Sequence, residues 1–167
     1  SEQGDKYFNK LNFIISDMQQ YKYIGNKDQL SNALRAIYID KTLNRLKQLK
    51  KDAELSIFFE QPIIINGTQF HTINEYLIQI PLLVEKTLIN NWKPEFTIIH
   101  GDLCFSNILI ESNYGFMRII DPRGEFGGFD IYGDPRYEMA KLLHSIEGKY
   151  DFIIEDMFSI RKQGNEI

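Results

Sequence analysis

Apolar side chains recur every three or four residues over most of the first ninety positions, and this spacing constrains the fold most strongly. It predicts a helix over residues 5–22 and a second long helix, or a broken pair, over residues 28–53. Thr72 and Glu75 have the spacing of a capping box and predict the start of a third helix. Between the second and third helices, Asn66-Gly67 separates two β-prone stretches and predicts a small hairpin.

From Phe96 onward the pattern changes to short β-prone runs separated by polar loops, at residues 97–100, 108–110 and 116–120. Asp134-Pro135 then predicts the N-terminus of another helix. Its buried stripe is expected to consist of four apolar residues, Met139, Leu142, Leu143 and Ile146. A further amphipathic piece is expected over residues 151–161. This order predicts one α+β domain over residues 1–167, predominantly helical, with small β-hairpin elements.

Composition excludes several classes of protein. The 167 residues include 43% hydrophobic residues, enough for a sizeable core. Nineteen Lys plus Arg stand against twenty-three Asp plus Glu, so the basic excess typical of nucleic-acid binding is missing. No apolar run reaches the roughly 18 residues of a membrane span, which predicts no membrane partner. A single cysteine, Cys104, cannot form an internal disulfide; it is expected to be a small buried side chain, and a cytoplasmic location is expected.

The most informative stretch runs from His100 through Asp102 to Asn107, and Asp121 follows fourteen residues after Asn107. Both segments adjoin β-prone runs, so we expect Asp102, Asn107 and Asp121 to converge at one end of a small sheet. They would place one carboxylate near a nucleophile. They would also supply a carboxamide and a second carboxylate as oxygen ligands for Mg²⁺. This set suits phosphoryl transfer, in which catalysis consists mostly of positioning and charge neutralisation.

The strings HGDLCFSNILI, IIDPRG and GDPRYEMAKLLHS together resemble the aminoglycoside phosphotransferase and choline kinase family of small-molecule kinases. The resemblance covers about residues 97–146. It implies a protein-kinase-like fold, of which this chain is the large C-terminal lobe, with small β-hairpins around the catalytic loop. By the same resemblance, Asp102 is the catalytic base, and Asn107 and Asp121 ligate Mg²⁺.

The resemblance also implies supporting roles. His100 would brace the catalytic loop, and Asp134 would support the loop or the substrate side, unless it is simply a helix cap. Arg123 is an unusual residue for this position in the pattern; it would clamp an anionic group or form a surface salt bridge. Glu138 is either exposed helix surface or a substrate contact, and the sequence does not decide between these.

One part of a kinase has no counterpart here. Before residue 100 the glycines are Gly4, Gly25 and Gly67, so no glycine-rich loop is present, and Lys6 and Lys10 lie on a helical pattern rather than a strand. We therefore expect that the N-terminal nucleotide lobe is missing from this chain. It would be supplied by a separate N-terminal lobe or by a fused upstream domain. Alone, this chain is predicted to show no appreciable ATP-dependent turnover. Robust Mg²⁺-dependent phosphorylation of a small hydroxyl compound by the isolated chain would contradict this prediction.

The function implied by the resemblance is transfer of the ATP γ-phosphoryl group, with Mg²⁺, to a hydroxyl of a sugar, an amino alcohol or an aminoglycoside. Arg123 favours a sugar or an anionic metabolite. Four acids near it in sequence would instead attract a cationic amine: Glu125, Asp130, Asp134 and Glu138. A sugar or amino-alcohol kinase of cell-surface biosynthesis is preferred. The alternatives are a non-catalytic kinase-like binding domain and a metal-dependent phosphohydrolase, which would incorporate labelled water into the released phosphate.

Overall fold

A computed structural model of the chain describes residues 2–91, 95–111, 113–161 and 163. The fold is mixed α+β, about 52% helical, with small antiparallel sheets. The described residues form two compact units, one within residues 1–33 and 95–157 and the other within residues 34–94 and 158–167.

The helices and strands follow one another in irregular alternation. The α-helices are α1 (Glu2–Met18), α2 (Lys27–Leu34), α3 (Lys41–Leu49), α4 (Ile57–Glu60), α5 (Ile73–Val84), α6 (Pro135–Ile146) and α7 (Tyr150–Ile154). Two π-helical turns (Arg35–Asp40 and Glu85–Asn90) follow α2 and α5, and a 3₁₀ turn covers Phe105–Asn107. The strands are β1 (Lys22–Tyr23), β2 (Ile63–Ile65), β3 (Thr68–Phe70), β4 (Phe96–Ile98), β5 (Ile108–Glu111), β6 (Phe116–Ile119) and β7 (Tyr132–Gly133).

The first unit holds two small sheets. In one, β4 lies between β1 and β7, with Thr97 opposite both Lys22 and Gly133. In the other, β5 and β6 form a hairpin in which Ile108 is opposite Ile119. The hairpin packs on a core cluster in which buried residues of α1 and α6 meet a residue of the loop after β4; its buried members are Leu11, Ile15, Leu103 and Leu142. This core therefore holds the segment 99–107 between the hairpin and two helices.

The second unit is built around α5, against which α3, α4 and the first π-helical turn pack. The predicted hairpin is confirmed: β2 and β3 pair across Asn66 and Gly67, whose φ angles are 50° and 77°. The capping box of α5 is also confirmed, since Thr72 and Glu75 satisfy each other's backbone amides.

Several element boundaries differ from the predictions. Helix α1 ends at Met18. The second helical stretch, predicted as one long helix or a broken pair over residues 28–53, is broken by π geometry at Arg35–Asp40 and ends at Leu49. The final amphipathic piece is helical only over α7. The prediction for α6 was wrong in a more consequential way, because Met139, Leu143 and Ile146 are exposed and only Leu142 of the predicted stripe is buried. The buried side of α6 carries polar residues that bond to the neighbouring loop, which apolar periodicity does not detect.

Two glycines offer a matched test of packing in the first unit. Gly127 and Gly124 both have positive φ, but only at Gly127 would an added Cβ meet backbone, 2.8 Å from the Cα and O of Ala33. We expect Gly124→Ala to cost about 1–2 kcal/mol through backbone strain, and Gly127→Ala to cost a further 1–3 kcal/mol or so through the clash. Denaturant unfolding of both variants measures the difference. Equal costs would contradict the close approach of Gly127 to Ala33.

In the part of the chain that the structure describes, every helix is too short or too polar to cross a membrane.

Candidate functional site

The residues from His100 to Asn107, here called the 100–107 loop, are hydrogen-bonded at both ends to the segment after β6. The Ile120 amide donates to the carbonyl of Asn107 at 3.0 Å, which extends the β5–β6 ladder by one residue. At the other end, His100 Nε2 donates to the carbonyl of Ile120 at 2.8 Å, and the Arg123 amide donates to the carbonyl of His100 at 2.8 Å. The loop and residues 120–123 therefore form one hydrogen-bonded assembly.

Asn107 links two of the predicted site residues to the hairpin. Its side-chain Nδ2 donates to the backbone carbonyl of Asp102 at 2.8 Å, so the amide orientation is set and Oδ1 remains as an oxygen donor on the other side of the carboxamide. Asp121 directly follows Ile120, which bonds to Asn107. Asp121 is exposed and has a φ of 55°, an uncommon conformation for a residue other than glycine. Asp102 and Asn107 are thus joined by a hydrogen bond, and Asp121 is connected to them through the backbone of Ile120.

Asp102 forms an ion pair with Lys141 of α6, and the Oδ1–Nζ distance is 2.7 Å. The Asp102 side chain is 36% exposed and that of Lys141 is 18% exposed. Partial burial by itself would raise the pKa of Asp102, but the hydrogen bond and charge of Lys141, helped by Arg123 and His100, outweigh it and hold this pKa below its usual value. For Lys141, burial acts to lower the pKa, and the Asp102 carboxylate more than compensates and raises it. Asp102 is therefore ionised at neutral pH.

Helix α6 contacts the loop through three residues, Glu138, Lys141 and Ser145, which we call the α6 polar face. Glu138 Oε1 accepts from the amide of Gly101 at 2.6 Å, and Ser145 Oγ accepts from the amide of Phe105 at 3.0 Å. Residues 138, 141 and 145 lie on one side of a helix, because their spacing of three and four residues matches the helical repeat. The α6 polar face thus sets the position of the loop at three successive points.

Glu138 is 1% exposed, so it is not exposed helix surface, and its Oε1 is engaged by the amide of Gly101. Burial raises the pKa of its carboxyl and outweighs the backbone amides of Gly101 and His100, which lower it. Glu138 acts on the site through the loop backbone that it holds.

The remaining predicted residues take defined positions. The Asp102 amide donates to His100 Nδ1 at 3.3 Å, and His100 Nε2 donates to the Ile120 carbonyl. These two hydrogen bonds together fit the His100 tautomer whose proton is on Nε2. Asp134 is fully buried, caps α6 by accepting from the Arg136 amide at 3.0 Å and pairs with the Arg136 guanidinium. Arg123 Nη1 donates to the hydroxyl of Tyr137 at 2.8 Å. The cap that was one alternative for Asp134 is therefore present.

A cavity of about 320 Å³ adjoins the loop on the side of α7. Its lining is aromatic, aliphatic and acidic, formed by Phe105, Ser106, Tyr150, Asp151, Ile154 and Glu155. Lys141 Nζ lies 5.8 Å from the centroid of the ring of Tyr150, which forms part of the cavity wall. Asp151 Oδ1 accepts from the Ser106 amide at 3.0 Å, which joins the cavity wall to the 100–107 loop.

The residues present are compatible with Mg²⁺ if the ion is shared with a phosphate group. Asn107 Oδ1 and the Asp121 carboxylate provide two hard oxygen donors. Among the described residues, no three His, Cys, Asp or Glu side chains are grouped to hold a metal ion, so a closed protein cage is not formed there. Mg²⁺ commonly keeps several waters and uses one or two protein ligands together with substrate phosphates.

Reasoning from the sequence missed Lys141 and Ser145 and left Glu138 undecided. Their signal in the sequence was weak: three polar residues at helical spacing among the apolar residues of α6.

Comparisons of the chain with protein-family models, with curated proteins and with solved structures gave no match.

Proposed function

We propose that this chain supplies the base and the metal ligands of an ATP-dependent small-molecule kinase with a protein-kinase-like C-terminal lobe. The observation that carries the proposal is the double role of Asn107, whose side chain bonds to Asp102 and whose backbone bonds to the residue before Asp121. In this proposal the ionised Asp102 carboxylate acts beside two oxygen donors of the kind that Mg²⁺ prefers, Asn107 Oδ1 and the Asp121 carboxylate. The nucleotide-covering half would come from another segment of a longer protein or from a fused domain.

In the proposed reaction, the acceptor hydroxyl binds to Asp102 through Oδ2, because Oδ1 is held by Lys141. The hydroxyl oxygen forms a bond to the γ-phosphorus of ATP as the bond from that phosphorus to the β–γ bridging oxygen breaks. The hydroxyl proton passes to Asp102, and ADP leaves with the bridging oxygen. When bound by Asn107 and Asp121, Mg²⁺ would neutralise phosphate charge. His100 and Glu138 keep the loop in place, since they bond to its backbone.

The metal assignment is tested on the isolated chain with Mn²⁺, a paramagnetic substitute for Mg²⁺. In ¹⁵N-labelled protein we expect Mn²⁺ to broaden the amide signals around Asn107 and Asp121 before those of the second unit. Asp121→Asn is expected to weaken this Mn²⁺ binding by about tenfold or more, because it removes the charged ligand. The control is Asp130→Asn, which removes an exposed carboxylate of the same unit.

Equal weakening in both variants would indicate general attraction of the cation to acidic surface, and the proposed metal site would then be wrong. Broadening centred on a different part of the first unit would have the same consequence.

A further inference from the structure

The turn of the β2–β3 hairpin holds the one Asn-Gly pair of the sequence, Asn66-Gly67. Both residues are exposed, and their φ angles of 50° and 77° have the positive sign that a two-residue type I′ turn requires. A Cβ added at Gly67 would meet nothing within 4 Å, so the space around its backbone is open. The Gly67 amide nitrogen is therefore accessible, and no side chain of its own shields it.

The hairpin that carries this turn is weakly held. Strands β2 and β3 form a sheet of only two strands, and every residue of β3 is exposed. In β2, Ile63 and Ile64 are partly buried and Ile65 is exposed. Because an isolated two-stranded hairpin is at best marginally stable in water, we expect it to open transiently while the surrounding helices stay folded. Opening lets Asn66 leave the left-handed conformation and bring its side chain onto the amide nitrogen of Gly67.

We propose that Asn66 is a site of spontaneous deamidation, a covalent modification that needs water and no enzyme. The Gly67 amide nitrogen forms a bond to Cγ of Asn66 while the bond from Cγ to the side-chain nitrogen breaks. That nitrogen leaves as ammonia with the proton of the Gly67 amide, and a cyclic succinimide remains. Water then adds to one of the two ring carbonyls and opens the ring, which gives aspartate or isoaspartate. This inference is independent of the proposed function.

The two products differ in their effect on the hairpin. Aspartate, like asparagine, tolerates the left-handed conformation, so it keeps the turn and adds one negative charge. Isoaspartate leads the main chain through Cβ, which adds a backbone carbon to a turn whose length sets the strand register. The pairing of Ile65 with Thr68 beside the turn is then lost. The isoaspartate form therefore has a hairpin in which β2 and β3 no longer pair in the native register.

The β5–β6 hairpin supplies a matched comparison within the same chain. Asn113 is also exposed and lies between the two strands of a hairpin, but it is followed by Tyr114. The Tyr114 amide donates to Glu111 at 2.7 Å, whereas the Gly67 amide has no protein acceptor in the described part of the chain. A side chain beside the attacking nitrogen and a hydrogen bond that occupies this amide both slow ring closure at Asn113.

The experiment incubates the whole chain in mildly alkaline buffer at physiological temperature and follows its proteolytic peptides by mass spectrometry. Deamidation is read from the mass gained when NH₂ is replaced by OH, and isoaspartate from methyl transfer by an isoaspartate-specific methyltransferase. We expect Asn66 to convert at least several times faster than Asn113 and to give both products. Gly67→Ala is expected to slow this conversion several-fold, although the positive φ strains alanine and favours opening of the hairpin.

Conversion of Asn66 no faster than that of Asn113 would overturn the inference, and so would an unchanged or faster rate in Gly67→Ala. The effect on the hairpin is read from amide shifts of the ¹⁵N-labelled chain. We expect the isoaspartate form to move the signals of residues 63–70 and to leave those of residues 76–84 in α5 in place. Asn66→Asp, which represents the other product, should keep the wild-type shifts of β2 and β3. An isoaspartate form that also keeps them would show that the proposed loss of pairing is wrong.

Discussion

Replacing Asp102 by Asn is expected to lower the rate of phosphoryl transfer by roughly 10²–10⁴-fold, the usual contribution of a general base. Asn cannot accept the acceptor proton, and it also loses the ion pair with Lys141. Binding of Mn²⁺ should be nearly unchanged, because the contact of Asn107 with this residue is to the backbone carbonyl. The rate is measured as ATP-dependent phosphorylation of a hydroxyl acceptor by the chain joined to the proposed nucleotide lobe. Mn²⁺ binding is measured on the isolated chain.

The matched control for this variant is Asp130→Asn, since Asp130 is exposed and in the same unit. We expect it to keep the wild-type rate. A rate for Asp102→Asn within about tenfold of the wild type would remove Asp102 from the role of base, whatever the outcome of the metal experiment.

Replacing Glu138 by Ala is expected to lower the free energy of unfolding by about 2–4 kcal/mol, because it leaves the Gly101 amide without its acceptor and opens a cavity beneath the 100–107 loop. Glu138→Gln should cost much less, because Gln keeps an oxygen that can accept from this amide. Denaturant unfolding of both variants measures the two costs. Glu147→Ala, at the exposed end of α6, is the control and should lie within about 0.5 kcal/mol of the wild type.

The pH dependence of these variants has a definite sign. Burial raises the pKa of Glu138 above its ordinary value of 4.5, so the folded state binds this proton more tightly than the unfolded state does. The resulting stabilisation is complete below pH 4.5 and is lost as the pH rises through the folded-state pKa. Because Gln does not titrate, the stability of Glu138→Gln relative to the wild type should increase from about pH 4.5 upward. A constant difference across this range would show that Glu138 does not carry a raised pKa.

Exposed apolar residues of α6 explain why sequence periodicity identified the wrong face of that helix. Met139, Leu143 and Ile146 are exposed, whereas Glu138 and Ser145 are buried. Hydrophobic patterning assumes that burial is driven by apolar area. Here the amides of Gly101 and Phe105 in the loop beside α6 donate to side chains of this helix. A buried amide needs an acceptor, so polar side chains occupy the inner face.

Features that depend on neighbouring residues could be predicted from the sequence alone. The turn at Asn66-Gly67, the capping box of Thr72 and Glu75, and the cap of α6 at Asp134 are all present, because each depends on backbone conformations and hydrogen bonds within a few residues. The presence of Asp102, Asn107 and Asp121 in one stretch, and the resemblance that they carry, were also visible without coordinates.

Only the tertiary structure decided what surrounds those residues. Glu138 reaches the loop amide of Gly101 across 37 positions of sequence, and Lys141 reaches Asp102 from the next turn of the same helix. No local preference of the chain encodes such pairings, because they arise when the hairpin, the loop and α6 pack on a common core. The charge of Lys141 beside Asp102 therefore follows from packing between distant segments.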